Sequence, residues 1–345
     1  MTKLRNENEG RGSKRIMACR IFSAARSARA WAALALAFGA SLASISAASA
    51  QDQLTLAVGQ RGNWDTSIAE LGQRSGIFSK HDLELEILYT QGGGETLQTA
   101  ISGAIDVGVG PSTMAVLGAY GRGAPVRVIG AEATGASDLF WYVRSDSSLQ
   151  SISDIDGETI SYSTTGASTH EIVKAFMDQY GIPARPTPTG SPPSSLTQVM
   201  SGLIDVGWSA PPFGLEQLDR GDIRIIGSGN DAERFVGQTV RLLVVNARRL
   251  NADRDKFVRF MRAYRETIDW MYDDPAAMAH FAEFANVSED IARRTRDDFF
   301  PREALNPDQI LGLDDIIPLA IELRYLNAPL DNDQLDELIQ IPPRD

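Results

Sequence analysis

Cysteine is almost missing from this chain, and its position excludes whole classes of chemistry. The only cysteine is Cys19, so residues 51–345 contain no thiol. Disulfide bonds, thiolate metal sites and cysteine nucleophiles are therefore excluded there, and folding must depend on a hydrophobic core. Histidine is scarce as well: His81, His170 and His280 lie far apart in sequence and match no metal-ligand spacing. We expect no metal ion and no cofactor.

Recognisable catalytic motifs are also missing. The sequence has no Walker lysine motif, no nucleophile elbow and no dinucleotide-binding fingerprint. Asp106 and Asp205 could suggest a pair of catalytic carboxylates. They occupy the same position in two copies of a repeat, however, and this favours local backbone hydrogen bonds instead. We therefore expect a protein that is not an enzyme.

Positive charge is in deficit, since the chain has 33 Lys and Arg against 45 Asp and Glu, a net charge of −12. Such a surface repels nucleic acid and anionic lipid and favours a soluble monomer. An anionic ligand would need specific local donors.

The first 50 residues are typical of a cleavable export signal. Eight Lys or Arg and two acids precede an apolar run that begins at Trp31. The run ends in Ala48, Ser49 and Ala50, a pattern that signal peptidase accepts. Because the leader has no Arg-Arg pair and Cys19 has no apolar stretch before it, we expect Sec export to the periplasm and cleavage after Ala50. Either Met1 or Met17 could be the start.

An internal repeat dominates the remaining sequence. LQTAISGAIDVG covers 97–108, and LTQVMSGLIDVG covers 196–207. Apolar residues at helical spacing in each copy predict an amphipathic helix, and the β-rich runs 105–109 and 204–208 predict a buried strand after it. A period this long indicates duplicated lobes rather than stacked repeats.

Other apolar runs alternate with helical patterns, which is typical of α/β folds with mostly parallel sheets. The predicted strands are 54–58, 83–89, 126–131, 140–143, 159–162, 223–226 and 242–245. After Asp253 the pattern is wholly helical. Phe257, Phe260, Met261, Tyr264, Ile268 and Met271 share one helical face, and residues 273–275 end that helix.

Taken together, these segments resemble the NMT1 or THI5-like family of solute-binding proteins for sulfonates, nitrate, taurine and thiamine precursors. The resemblance rests on VGQRGNWD, SGIFSKHDLELEI, QGGGET, the paired SGxIDVG segments and SISDIDGETISYSTTGAST. It implies an α/β, two-lobed periplasmic binding protein type II fold with two hinge crossings. The expected boundaries are a signal peptide at 1–50, a first lobe at 51–144 and 242–345, and a second lobe at 145–241.

Candidate ligand-binding residues lie where predicted strands of the first lobe end. The loop GQRGNWD contributes Gln60, Arg61, Asn63 and Trp64, in which Arg61 could hold an oxyanion and Trp64 could stack on a ring. Gly93 and Gly94 offer bare amides at a helix start, and Ser112 and Thr113 offer hydroxyls. Each of these segments could equally be a structural turn or a helix cap.

The second lobe offers a corresponding set. Thr165, Ser168 and Thr169 gather hydroxyl donors at a strand-to-helix junction. Trp208, Pro211 and Phe213 follow the second repeat, and the two aromatics could flank an organic ligand or fill the core of the lobe.

The function implied by the resemblance is that of the solute-binding component of an ABC importer. It would capture a small polar or anionic organic solute, such as a sulfonate or carboxylate, by lobe closure and pass it to an inner-membrane permease. Two alternatives stay open: a THI5-like pyrimidine-forming enzyme and a periplasmic sensor subunit. Against the enzyme, those relatives carry a cysteine-rich motif that residues 51–345 lack.

Overall fold

The computed structural model describes residues 51–344, which alternate between strands and helices as far as Asn246. The export signal and its cleavage site after Ala50 lie outside the described residues. The strands are β1 (Asp52–Gly59), β2 (Leu83–Thr90), β3 (Val107–Ser112), β4 (Val126–Thr134), β5 (Phe140–Arg144), β6 (Thr159–Tyr162), β7 (Arg185–Pro188), β8 (Gly207–Ser209), β9 (Ile223–Ser228) and β10 (Thr239–Asn246).

Helices connect and flank these strands. They are α1 (Ile68–Arg74), α2 (Ile77–Lys80), α3 (Gly93–Ser102), α4 (Thr113–Gly121), α5 (Ser168–Tyr180), α6 (Pro192–Met200), α7 (Leu215–Arg220), α8 (Ala247–Ala252), α9 (Arg254–Asp273), α10 (Ala276–Ala285), α11 (Glu289–Phe299), α12 (Leu313–Glu322) and α13 (Asn332–Leu338). In residues 51–344 no helix is long and apolar enough to span a membrane.

The first sheet has five strands in the order β2-β1-β3-β10-β4. Strands β1, β2 and β3 are parallel, whereas β10 runs antiparallel to both of its neighbours. Four strands therefore share one direction, and the reversed strand is the one that returns from the other half of the molecule. We call this sheet and the helices packed on it the first lobe.

The second lobe repeats this plan on a smaller scale. Strands β6 and β7 pair in parallel, β5 lies antiparallel between β8 and β9, and a parallel bridge from Ile160 to Val206 joins the two parts. The resulting order, β7-β6-β8-β5-β9, has one reversed strand, and that strand again enters from the other lobe. The fold is the two-lobed α/β fold of periplasmic binding proteins.

The repeat occupies equivalent places in the two lobes. Helices α3 and α6 precede β3 and β8, as the pattern predicted, although each strand begins two or three residues later than expected. Asp106 accepts a hydrogen bond from the Thr55 amide at 2.9 Å, and Asp205 accepts one from the Thr159 amide at 2.8 Å. The structural interpretation of the paired aspartates is confirmed, because each one accepts a hydrogen bond from the backbone of a neighbouring strand, β1 or β6.

The lobe boundaries drawn from the sequence differ from the hydrogen bonding by a few residues. The sequence predicts residues 51–144 in the first lobe, and β5 falls within that range. In the structure, however, β5 pairs within the second sheet. Strand β10 begins at Thr239, three residues before the expected return. We propose that the chain crosses between lobes at residues 135–139 and 229–238.

Helix α9 confirms the long helical face predicted near the C-terminus. The six apolar residues of that face are buried, and the helix ends at Asp273. They belong to a core that also holds Leu54, Leu56 and Val58 of β1. The first lobe is therefore completed by the end of the chain.

Candidate functional site

A small cavity lies between the two lobes, at the carboxyl ends of β1, β3 and β6. Its volume is about 40 Å³. Loops after β1 and β2 and the crossing segment line one side, and the start of α5 and Trp208 line the other. In α/β sheets of this kind ligands bind beyond the carboxyl ends of the strands. The cavity is therefore the candidate ligand site.

A buried charge cluster forms the first-lobe side of the cavity. The Arg241 guanidinium donates from Nε to Glu132 at 2.9 Å and from Nη2 to Asp138 at 2.8 Å. Its Nη2 also lies 3.2 Å from Asp65 Oδ2. All four side chains are 8% exposed or less. One cation thus faces three carboxyl groups.

The cluster shifts its own pKa values. Burial raises the pKa of Asp138 to about 6, although Arg241 opposes the shift. Burial and the charge of Asp65 raise the pKa of Glu132 well above its ordinary value. Burial works against the charged guanidinium, but the surrounding carboxyl groups outweigh it and raise the pKa of Arg241. The directions of these shifts favour the charged form of Arg241 and the protonated form of Glu132.

Two oxygens of the cavity wall accept no hydrogen bond within residues 51–344. They are Oδ1 of Asn63 and Oδ1 of Asp65, on side chains that are 5% and 2% exposed. A short 3₁₀ turn, Asp65–Ser67, holds both residues in place, and the Ser67 hydroxyl donates to the Asn63 carbonyl. Buried acceptors normally have donors. The unpartnered oxygens mark where a ligand could donate.

On the second-lobe side of the cavity, no charged side chain from the described residues 51–344 lines the wall. This wall is formed by Ser163, Ser168, Thr169 and Trp208. The Thr169 hydroxyl accepts from the Ser163 amide at 3.0 Å, and Trp208 donates from Nε1 to Thr189 at 3.2 Å. The hydroxyl of Ser168 takes part in no hydrogen bond with any residue of 51–344. It is therefore the group of this wall that could hydrogen-bond to a ligand.

The structure brings seven of the predicted site residues to the cavity or its rim. Six line it directly: Gln60, Asn63, Gly93, Ser168, Thr169 and Trp208. Gly94 lies beside it, where its amide donates to Thr164 of the opposite lobe at 3.3 Å. Contact with a ligand remains a prediction for all seven.

Arg61 and Trp64 are not brought to the cavity. Arg61 lies 4.2 Å above the ring centroid of Phe284. Trp64 is fully buried in the first-lobe core, edge-on to Phe281 at 4.8 Å, and donates to Tyr272 at 3.1 Å. In this structure, therefore, Arg61 does not offer its charge to an oxyanion in the cavity, and the Trp64 ring serves packing.

The remaining predicted site residues have structural partners or lie elsewhere between the lobes. Thr113 donates to the Thr239 carbonyl at 2.6 Å, so it fixes the start of β10 to the start of α4. Thr165 is exposed on the second-lobe loop, and Phe213 points towards Gly62 at the other side of the lobe contact. Pro211 is buried and begins the segment that leads to Phe213.

Ser112 forms a contact between the lobes. Its hydroxyl donates to Glu171 of α5, a carboxyl group with 1% of its surface exposed. Burial raises the pKa of Glu171 to about 8, although the Ser112 hydrogen bond and Lys174 oppose the shift. A mostly protonated Glu171 therefore connects the second lobe to the first.

Sequence reasoning missed the charge cluster. Its members come from four separate segments, so no local motif contains them. The signal was a charge inside an apolar strand: Glu132 within VRVIGAEAT and Arg241 within TVRLLVVN. The predicted strand 126–131 ends one residue before Glu132. The predicted strand 242–245 begins one residue after Arg241.

Within residues 51–344 no group of three or more metal-ligating side chains could hold a metal ion. The histidines lie apart. His81 contacts Glu266 at 2.8 Å, and His170 packs on Tyr162 with ring centroids 4.4 Å apart.

Solved structures of periplasmic binding proteins are similar to this chain. The alkanesulfonate-binding protein SsuA from Xanthomonas axonopodis pv. citri, bound to MOPS, shares 17% identity over 85% of this chain and 95% of its own, with a TM-score of 0.66. The aliphatic sulphonate binding protein SsuA from Escherichia coli shares 16% identity over 85% and 93%, with a TM-score of 0.63.

The nitrate-binding protein NrtA from Synechocystis PCC 6803 shares 12% identity over 84% of this chain and 86% of its own, with a TM-score of 0.62. At these identities the likeness shows the fold. No curated protein matches the sequence. The model of one family, described as NMT1/THI5 like, matches residues 68–278. Because that match spans more than half of the sequence, this chain belongs to the NMT1/THI5-like family.

Proposed function

We propose that this protein is the solute-binding component of an ABC importer. It captures a small polar organic solute between its lobes and delivers it to an inner-membrane permease. In this proposal the protein is exported through the Sec pathway and cleaved after Ala50. It then works in the periplasm, as a monomer. The sulfonate- and nitrate-binding proteins that share its fold support a binding role.

The observation that carries this proposal is a cavity that both lobes enclose. Strand ends of both sheets point to it, and the lobes touch around it through Gly94 with Thr164 and through Ser112 with Glu171. A solute held there would be released only when the lobes separate. Hinge closure around a ligand is the known motion of such two-lobed receptors.

Between the two kinds of solute considered from the sequence, polar and anionic, the cavity favours the polar one. Among residues 51–344, Arg241 is the only cation that lines it, and three carboxyl groups already surround that guanidinium. An anion would have to approach Asp65 and Asp138 without a free positive partner.

A thermal-shift screen of the protein from Gln51 onward tests the binding role. The screen should include sulfonates, aromatic carboxylates, pyrimidines and small amines. A ligand at 100 times its dissociation constant stabilises by about 2.7 kcal/mol. Small-angle scattering with the ligand found should show a smaller radius of gyration. No stabilisation by any compound would contradict solute capture.

We also propose that binding is not followed by chemistry, in contrast to a pyrimidine-forming enzyme. Mass spectrometry of the ligand after long incubation with the protein should recover it unchanged. Delivery has its own measurement: the loaded protein should stimulate ATP hydrolysis by its reconstituted permease and ATPase. A sensor subunit would bind the solute but leave that ATPase activity unchanged.

A further inference from the structure

The charge balance of the cavity gives information about the solute itself. With Glu132 protonated, Asp65 and Asp138 carry two negative charges against the one positive charge of Arg241. If all the carboxyl groups are ionised, the excess is two charges. In both cases the enclosed site is negative, and the one cation that the described part of the chain places there is already paired at 2.8–3.2 Å.

The unpartnered acceptors are a second, independent observation. Oδ1 of Asn63 and Oδ1 of Asp65 belong to side chains more than nine-tenths buried that line the cavity. A proton shared between Glu132 and Asp65 would satisfy the second of these oxygens, but Oδ1 of Asn63 would still lack a donor. A ligand that donates hydrogen bonds would supply it, whereas a sulfonate or nitrate has only acceptors.

The opposite wall does not reverse this preference. The N-terminus of α5, at Ser168, lies at the cavity and carries about half a positive charge. The N-terminus of α3, at Gly93, lies there too, but Glu95 in its first turn offsets its charge. What remains is less than the one or two negative charges of the first-lobe wall. Trp208 beside it presents an indole, and aromatic faces attract cations.

The size of the cavity limits what is recognised there. A volume of about 40 Å³ holds a few water-sized groups, at roughly 10–15 Å³ for each. The closed site therefore fits the head group of a solute and not a bulky ring system. Larger parts of the molecule would extend into the surrounding lobe contact.

We infer that the cavity selects a solute with a small cationic head group, an ammonium or amidinium, whose N–H groups donate to Asp65, Asp138 and Asn63. This inference rests on the proposed solute capture and names the class of solute. Anion recognition, as in the sulfonate-binding proteins of the same fold, would then not apply to this chain.

A matched set of probes tests the inference. Acetamidinium, acetamide and acetate have the same shape and differ in charge and in donors, and benzamidinium, benzamide and benzoate repeat the series with a ring. Calorimetric titration at pH 7 should show the amidinium of each series binding at least tenfold more tightly than the amide, with no binding of the carboxylate. Tighter binding of acetate, benzoate or an alkanesulfonate would overturn the inference and leave solute capture standing. Binding of no compound in this set or in the screen would overturn both.

Two variants separate charge recognition from a structural effect. Asp65→Asn removes one charge, and Asn63→Ala removes an acceptor while all charges stay. Each should weaken amidinium binding by about 10- to 150-fold, the range for a hydrogen bond to a charged group. Neither should weaken binding of the neutral amide by more than about tenfold. Equal losses for both probes in both variants would contradict the inference.

The control is Asp156→Asn, an exposed residue before β6, at the end of the strand away from the cavity. It changes the net charge by the same amount and should leave all affinities unchanged. Circular dichroism establishes that each variant is folded. If Asp65→Asn does not fold, the Asn63→Ala result decides.

Discussion

Asp106 in the first lobe and Asp205 in the second each accept a hydrogen bond from a backbone amide of a neighbouring strand, at 2.9 and 2.8 Å. At the cavity the lobes no longer correspond. The first lobe contributes Asp65 and Arg241, whereas the second contributes hydroxyl groups and the Trp208 indole. The two lobes are alike where the repeat supports the fold. They differ in the side chains that line the cavity.

The two lobes therefore contribute different kinds of side chain to the cavity. The first lobe holds a charge cluster whose members are fixed by one another before any solute arrives. In the proposed capture, the second lobe would add neutral groups on closing, through α5 and the loop before it. Four sets of substitutions test whether the lobes differ in this way.

The largest effect is expected from the charged lobe. Arg241→Met leaves three buried carboxyl groups without a cation and should lower the free energy of unfolding by about 3–5 kcal/mol, the usual cost of breaking a buried ion pair. Urea denaturation measures it. Arg220→Met is the control, because that side chain is 55% exposed and its ion pairs contribute about 1 kcal/mol or less. Equal losses for the two variants would mean that the cluster does not depend on its arginine.

The second experiment prevents the lobes from meeting. A Cβ atom on Gly94 would lie 2.2 Å from the Thr165 carbonyl oxygen across the lobe contact. Gly94→Ala should therefore obstruct closure and weaken solute binding by about 5- to 150-fold, if the clash costs about 1–3 kcal/mol. Scattering should show no compaction with ligand. Ser102→Ala, at the exposed end of the same helix, is the control. Normal compaction of Gly94→Ala would contradict this closed arrangement.

The third experiment uses pH to test the buried acid of the second lobe. Because burial raises the pKa of Glu171 from 4.5 to about 8, the folded state holds its proton more tightly than the unfolded state. The stability from this group is complete below about pH 4.5, falls by about 1.4 kcal/mol per pH unit from there to about pH 8, and is lost above that.

Glu171→Gln should therefore match the natural protein near pH 4.5 and be more stable than it at pH 8. Thermal unfolding across that range measures the difference, which isolates this group from Asp138 and Glu132. Glu289→Gln, an exposed change on α11, should leave the pH profile unaltered. Parallel profiles for Glu171→Gln and the natural protein would show that Glu171 is ionised when folded.

The smallest effect is expected from the hydroxyls of the second lobe. Ser168→Ala should weaken solute binding by about 2- to 12-fold, the value of one neutral hydrogen bond, without a change in stability. Thr169→Ala should instead lower stability by about 1 kcal/mol, because the Thr169 hydroxyl already bonds Ser163 at 3.0 and 2.8 Å. Calorimetry and thermal unfolding separate the two. An unchanged affinity of the Ser168→Ala variant would show that this hydroxyl does not hydrogen-bond to the solute.

Much of the scaffold could be predicted because it depends on local patterns. Helices α3 and α6, strand β6 and the buried face of α9 follow from apolar periodicity, and the SGxIDVG repeat indicated two lobes. Strand β7 was missed, since it contains Pro186 and Pro188. Prolines are tolerated there because β7 lies at the edge of its sheet.

The site was predictable only in part. Loops after parallel strands could be located, so Asn63, Ser168 and Trp208 were found. Whether a side chain in such a loop faces the cavity or the core depends on the neighbouring helix, and this is why Trp64 turned out to pack against Phe281. The charge cluster requires β10 to lie beside β4, a pairing between distant segments that no local pattern contains.

The position of β10 has a consequence for the order in which the protein can assemble. Val107 of β3 pairs with Val245 of β10, and β4 pairs with the same strand, so the whole second lobe is synthesised before the first sheet can close. Until then β3 and β4 each present a free edge, which is a template for aggregation. Contacts so distant in sequence also slow folding. The nascent first half of this chain therefore exposes unpaired strand edges until the second lobe and β10 have been made.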